Sequence, residues 1–224
     1  MSDTAGTSPQ SARDRIVDAL LAQLAERSLE QISLGDIARR AGVTLAELRN
    51  EFTSVIAILG AHMKDIDTKV LSSDLSDMAD ETPREKLFDI LMRRLEALTP
   101  HKEAVRSLLR SAARNPALAM ALNGFAVRSL EFMLTAADID TAGTKGVIRA
   151  QGLALLYGRV LWVWLDDEDP GLARTMAALD RELSRGQRWA GFIDDMCVIP
   201  EALCRGAGRW RSRRRRGPDE TVAA

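Results

Sequence analysis

The chain has 224 residues, with 31 Lys and Arg against 32 Asp and Glu, a formal net charge of −1 and 46% hydrophobic residues. This composition suits a soluble protein with a real core, enough for one large helical domain or two small ones. Its polar start, "MSDTAGTSPQSARD", has no apolar h-region and so does not read as a signal peptide. The apolar stretch Gly152 to Leu165 is too short for a bilayer and carries Arg159. The two cysteines, Cys197 and Cys204, match no zinc spacing and suit reduced thiols in a cytoplasm. Neither a metal nor a cofactor is expected.

Aromatic residues are only 4%, so the core must rest on Leu, Ala, Ile, Val and Met. Leu and Ala are strong helix formers, and hardly any stretch alternates with period two. An all-α fold of nine or ten helices is expected. Residues 1–12 are Ser-, Thr-, Gly- and Pro-rich and read as a disordered N-terminus. Ile16, Val17, Leu20, Leu21 and Leu24 then recur at helical spacing and predict a first helix from about Asp14 to Arg27. Ser33 with Asp36, and Thr44 with Glu47, are two capping boxes that open a second and a third helix on either side of Gly42. A longer fourth helix begins near Val55, after Ser54 as its cap. Further on, Thr82-Pro83, Thr99-Pro100, Asn115-Pro116 and Asp169-Pro170 each place a capping side chain before a Pro, which suits a first helical position. With a further start near Thr144, these signals predict helices at about 83–97, 100–113, 116–137, 145–165 and 170–185, and a shorter one at about 189–204.

Ala41-Gly42-Val43 forms a tight corner, and Gly42 can take the positive φ it needs. Ile37, Ala38, Val43, Leu48 and Phe52 supply the inner faces of a helix-turn-helix, whose second helix can enter a major groove. The stretch "IARRAGVTLAELRNEFTSVIAIL", Ile37 to Leu59, resembles the DNA-binding motif of the TetR family of bacterial repressors. That resemblance covers residues 14 to about 60. The segment Val160 to Gly186 is similar to C-terminal helices of a proteobacterial subset of the family. It implies a helix-turn-helix domain at 13–54, a helical effector-binding and dimerisation domain at 55–204, and a basic disordered tail at 205–224. The expected function is a ligand-responsive repressor, a cytoplasmic homodimer on a double-stranded DNA operator, and not an enzyme.

The candidate DNA-binding residues are Ser33, Thr44, Leu45, Ala46, Arg49, Asn50 and Ser54. Arg suits guanine, Asn suits adenine, and Leu45 can meet a thymine methyl. Three family positions depart from the pattern. Arg49 stands for a Tyr, while Leu45 and Val55 stand for lysines that commonly touch phosphate. From Asp14 to Lys64 there are six basic and seven acidic residues, a weak electrostatic footprint for DNA. Arg13, Arg15, Arg39, Arg40 and Arg49 are the cations able to cluster on one side.

In the resembled family the remaining helices enclose a pocket for a small apolar or amphipathic effector. The candidates here are Phe88, Met92, Leu95, Leu109, Phe125 and Met133, each of which equally suits a plain core. His101, Lys102, Arg93, Arg94 and Arg128 are polar candidates for an anionic effector, and a solvated face suits each of them as well. Ala150, Ala154 and Gly158 recur every four residues and invite close helix approach, so with Leu161, Met176 and Leu179 they are the expected dimer interface. The seven arginines between Arg205 and Arg216 leave about −8 on the rest of the chain. With Trp210 beside them, they suit weak contact with an anionic membrane surface. This end, together with the acidic reading helix, raises an alternative: the lipid-binding ubiquinone-biosynthesis family that shares the TetR fold without binding DNA. No catalytic triad, phosphate loop or metal-ligand spacing is recognisable.

Overall fold

The computed structural model describes residues 10–73 and 80–186, which hold nine α-helices and no strand. They are α1 (Ala12–Glu26), α2 (Leu34–Ala41), α3 (Leu45–Glu51), α4 (Val55–Leu71), α5 (Pro83–Leu98), α6 (Lys102–Arg114), α7 (Pro116–Ala136), α8 (Gly143–Leu165) and α9 (173–186). The expected helix at 189–204, both cysteines and the Arg-rich tail lie outside the described residues.

Most helix starts follow the capping chemistry of the sequence. Thr82 forms a full capping box with Glu85 ahead of Pro83, and the Asn115 side chain accepts from the Leu118 N–H at 3.1 Å. Four starts differ, one of them α8, which opens at Gly143 rather than at 145 with no side-chain cap. α1 begins two residues early because Ser11 accepts from the Asp14 N–H. Thr99 does not cap. Its hydroxyl donates back to the Leu95 carbonyl at 3.1 Å, and a 3-10 turn at Thr99–His101 carries the chain into α6. α9 starts at 173 because Pro170 and Gly171 are spent in a turn. The Asp169 carboxylate accepts from the Gly171 and Ala173 N–H groups, and the buried Asp167 accepts from the Thr175 N–H at 2.8 Å.

Two apolar clusters organise the molecule. The first joins α1, α2, α3 and the upper half of α4, through Ile16, Leu20, Leu24, Ile37, Leu48, Phe52, Ile58 and Leu59, and takes in Ala104 of α6. The second joins the lower half of α4, through Ile66 and Val70, to α5, α7, α8 and α9. Its centre holds Ile90, Leu91, Leu95, Met133, Val160 and Trp164. Each such side chain contributes roughly 1.5–3 kcal/mol by leaving water. α4 therefore belongs to both clusters, and a boundary at residue 55 divides the first, leaving Ile58, Leu59 and Ala104 on its far side. α7 is long and apolar enough to cross a membrane by length and composition. Here it packs on α8, α4, α6 and α5, burying Leu118, Leu130, Met133 and Leu134.

Candidate nucleic-acid interface

The corner between α2 and α3 is built as the sequence demands. Gly42 sits at φ 63 and ψ 39. Its N–H donates to the Arg39 carbonyl at 3.3 Å, and the Val43 N–H donates to the Ala38 carbonyl at 3.0 Å. This is the Schellman arrangement, which closes a helix with a left-handed residue. Arg15 of α1 adds bonds from one guanidinium nitrogen to the carbonyls of Ala41 and Gly42, at 3.1 and 3.2 Å. Both capping boxes are complete. The Asp36 N–H donates to Ser33 Oγ at 3.1 Å, and the Thr44 N–H donates to Glu47 Oε2 at 2.7 Å. These bonds hold the Asp36 and Glu47 carboxyls below the usual carboxylate range, since each accepts from its cap residue's hydroxyl and N–H.

α3 turns Leu48 inward, where it is 3% exposed, and leaves Leu45 60% exposed. Thr44, Ala46, Arg49 and Asn50 are exposed beside it, Ser33 is exposed at the head of α2, and Ser54 is half-buried. Ser54 Oγ accepts from the Ala57 N–H at 3.1 Å and so starts α4. The seven candidate DNA contacts thus lie on one helix, on the residues just before it, and on two neighbouring helix starts.

The arginines around this motif are largely spent inside the molecule. Arg40 lies on both oxygens of Glu26 at 2.7 Å, Arg39 on Asp36 at 3.0 Å and Arg13 on Asp65 at 2.8 Å. Arg27 approaches Asp36 at 3.7 Å, and Arg15 holds the corner carbonyls. Exposed pairs of this kind are worth about 0–1 kcal/mol, so a phosphate can displace them, but they cancel the long-range field that draws DNA in. Arg49 has no carboxylate partner among the described residues. It makes only a 3.4 Å bond to the Thr53 carbonyl.

The other candidate residues divide between core and surface. Leu95 and Met133 are fully buried, Phe88, Met92 and Leu109 are half-buried against the second cluster, and Phe125 is half-buried with its ring against Gly60 of α4. A cleft of about 560 Å³ lies elsewhere, between α1 and the start of α6, lined by Leu21, Ala22, Pro100, His101 and Lys102 among others. Of the polar candidates, Arg128 is exposed, and Arg93 donates to Ser73 Oγ. Lys102 donates to the Asp167 carbonyl at 2.7 Å beside the Trp164 ring. Arg94 departs furthest from a solvated face, at 4% exposure.

The expected dimer positions differ in burial. Ala150 is 1% exposed, and Ala154 and Leu179 are buried as well. All three belong to the second cluster, and α8 is tied to α7 by the paired amides of Asn123 and Gln151 at 2.9 and 3.1 Å. Gly158 and Leu161 are half-buried and Met176 is exposed. The outward face of α8 carries Ile148, Leu155 and Trp162, seven residues apart, with Leu155 58% exposed. The seven-residue spacing of these three side chains, legible in the sequence, puts them on one face of the helix.

Comparison with known proteins adds three findings. The chain is 33% identical over 98 residues to the HTH-type transcriptional regulator PksA of Bacillus subtilis (strain 168), a match that spans 46% of that protein and 43% of this chain. Among solved structures, a TetR transcriptional regulator from Nitrosomonas europaea superposes with a TM-score of 0.60 at 23% identity, covering 80% of this chain and 99% of that one. A TetR transcriptional regulator from Rhodococcus sp. RHA1 gives 0.56 at 20% identity, covering 78% and 95%. No family model matches the chain. The described residues have the all-α fold of TetR regulators, and the resemblance read from the Gly42 motif holds at the level of the fold.

Proposed function

We propose that the protein is a TetR-type transcriptional regulator that binds an operator as a cytoplasmic homodimer and releases it when an effector enters the larger core. The observation that carries this reading is α3, a capped helix anchored by Leu48 and Phe52 whose Leu45, Ala46, Arg49 and Asn50 stand in solvent. Such a helix fits a major groove, and the Bacillus subtilis protein that matches 98 residues of this chain is a helix-turn-helix transcriptional regulator. Two half-sites about one helical turn apart need two heads, and the Ile148, Leu155 and Trp162 stripe with Met176 suits a twofold seam. The effector acts through α4, whose two ends lie in different apolar clusters. A tilt of α4 changes the spacing of the heads and lowers operator affinity. The lipid-carrier alternative gains no support from these relatives, and the membrane-contacting tail belongs to the same proposal.

The test is binding to the DNA upstream of the protein's own gene, followed by fluorescence anisotropy at two salt concentrations against a scrambled duplex. Sequence preference at low salt, weakened in Arg49→Ala, is expected. Equal affinity for both duplexes would sink the regulator reading.

A further inference from the structure

In the middle of the second cluster, four helices meet at a charged group. The Arg94 guanidinium of α5 donates through Nε to Asp67 Oδ1 of α4 at 3.3 Å and through Nη2 to Ser129 Oγ of α7 at 2.9 Å. Ser129 Oγ in turn donates to the same Asp67 oxygen at 2.7 Å. The guanidinium carbon lies 5.2 Å from the centre of the Tyr157 ring of α8. Arg94 and Tyr157 are buried, and the Tyr157 hydroxyl lies against the Arg94 guanidinium and donates to no acceptor. Tyr157 shares the second cluster with Ile90, Leu91, Leu130 and Met133, and Phe88 and Met92 are half-buried against that cluster.

A buried ion pair is an expensive way to join helices, because apolar side chains of the same size often do as well or better. A buried hydroxyl donor with no acceptor adds a further cost. Together they describe an unfinished anion site: a permanent cation, an idle O–H donor, and one carboxylate supplied by α4 itself. The apolar surroundings are filled in the ligand-free chain, and adaptable side chains such as Met92 and Met133 must repack to admit a hydrocarbon chain behind an acidic head.

We propose that an amphipathic carboxylic acid is the effector class, and that its carboxylate replaces Asp67 on Arg94 while accepting from the Tyr157 hydroxyl. This deepens, and for its regulatory consequence rests on, the effector-responsive reading above. Asp67 is then the latch that fixes α4. Ile66 and Val70 flank it in the core, while Ile58 and Leu59 of the same helix pack in the reading head. Losing the Asp67 bond frees α4 to shift relative to α5 and α7, and the head moves with it.

Decanoate is the probe and decanol its uncharged control, with binding measured by calorimetry on the full-length chain. Decanoate is expected to bind and decanol to bind much more weakly. Asp67→Asn removes the internal competitor and is expected to tighten decanoate binding. Arg94→Gln is expected to abolish it. Tyr157→Phe keeps the core volume and removes an unpaired hydroxyl, so the ligand-free thermal midpoint holds or rises while decanoate affinity falls roughly tenfold. That variant decides the matter even if Asp67→Asn or Arg94→Gln fails to fold. Equal binding of decanoate and decanol, or a Tyr157→Phe affinity equal to that of the native chain, overturns the proposal. Hydrogen exchange along α4, faster with decanoate bound, reports the latch without any DNA. If decanoate behaves as stated and no duplex is preferred, the regulator reading fails and the anion site stands.

Discussion

The His62 imidazole of α4 meets the His101 imidazole at the head of α6 edge to face, with ring centroids 5.0 Å apart. The pair sits where α1, α4 and α6 converge, and His62 Nε2 is buried without a hydrogen-bond partner. Burial first, then the neighbouring His101, pushes the His62 pKa down to about 4, against the weaker opposing pull of Asp65 and Asp18; Arg94 adds to the lowering. His101 is shifted the same way by its own burial.

Both groups are thus held neutral in the folded chain, and the unfolded chain binds more protons below pH 6.5. Stability is fully present above that pH and is lost as pH falls toward 4. For His62 the loss is about 2 kcal/mol by pH 5. Urea midpoints at pH 7.5 and 5 measure it. His62→Gln is expected to flatten most of that slope, and a variant with the native slope would assign it elsewhere.

Gly42 carries the corner on a left-handed backbone that other residues adopt at a cost of roughly 1–2 kcal/mol. A Cβ there has room, its nearest neighbour being the Arg15 guanidinium at 3.7 Å. Gly42→Ala is therefore expected to lower stability through backbone strain alone, by several degrees in the thermal midpoint, and Gly42→Asn by less. Equal midpoints for the three proteins would show that the corner is not under this constraint.

The ion pairs of Arg13, Arg39 and Arg40 leave little free positive charge on the reading head. Operator affinity is expected to fall gently with salt, and Arg49→Ala to reduce the slope of log K against log salt by about 1 per head. An unchanged slope in Arg49→Ala would remove Arg49 from the phosphate contacts.

Leu155 lies outward on α8, and Ala150 inward. Leu155→Glu is expected to give a folded monomer by sedimentation equilibrium, with native helicity and thermal midpoint. Ala150→Leu overpacks the second cluster and is expected to cost about 1–3 kcal/mol in stability without first dissociating the proposed dimer. The opposite pattern would return the interface to the small-residue face.

Local chemistry was legible in the sequence. Ser33, Asp36, Gly42, Thr44 and Glu47 specify the helix-turn-helix because caps and left-handed turns are made by residues within a few positions of one another. The apolar periodicity placed Leu48 inward and Leu45 outward for the same reason. Which of several apolar helix faces goes inside depends on the neighbour it meets. Ala150 and Ala154 are buried within the chain, while Ile148, Leu155 and Trp162 stand outward and form the stripe proposed above as the twofold seam. The partners of a charge are equally beyond local reading. Asp67, Arg94, Ser129 and Tyr157 come from four helices, and only the assembled core brings them to one point. The strength of a charge in water and its worth in a dry interior differ by the desolvation that packing alone imposes.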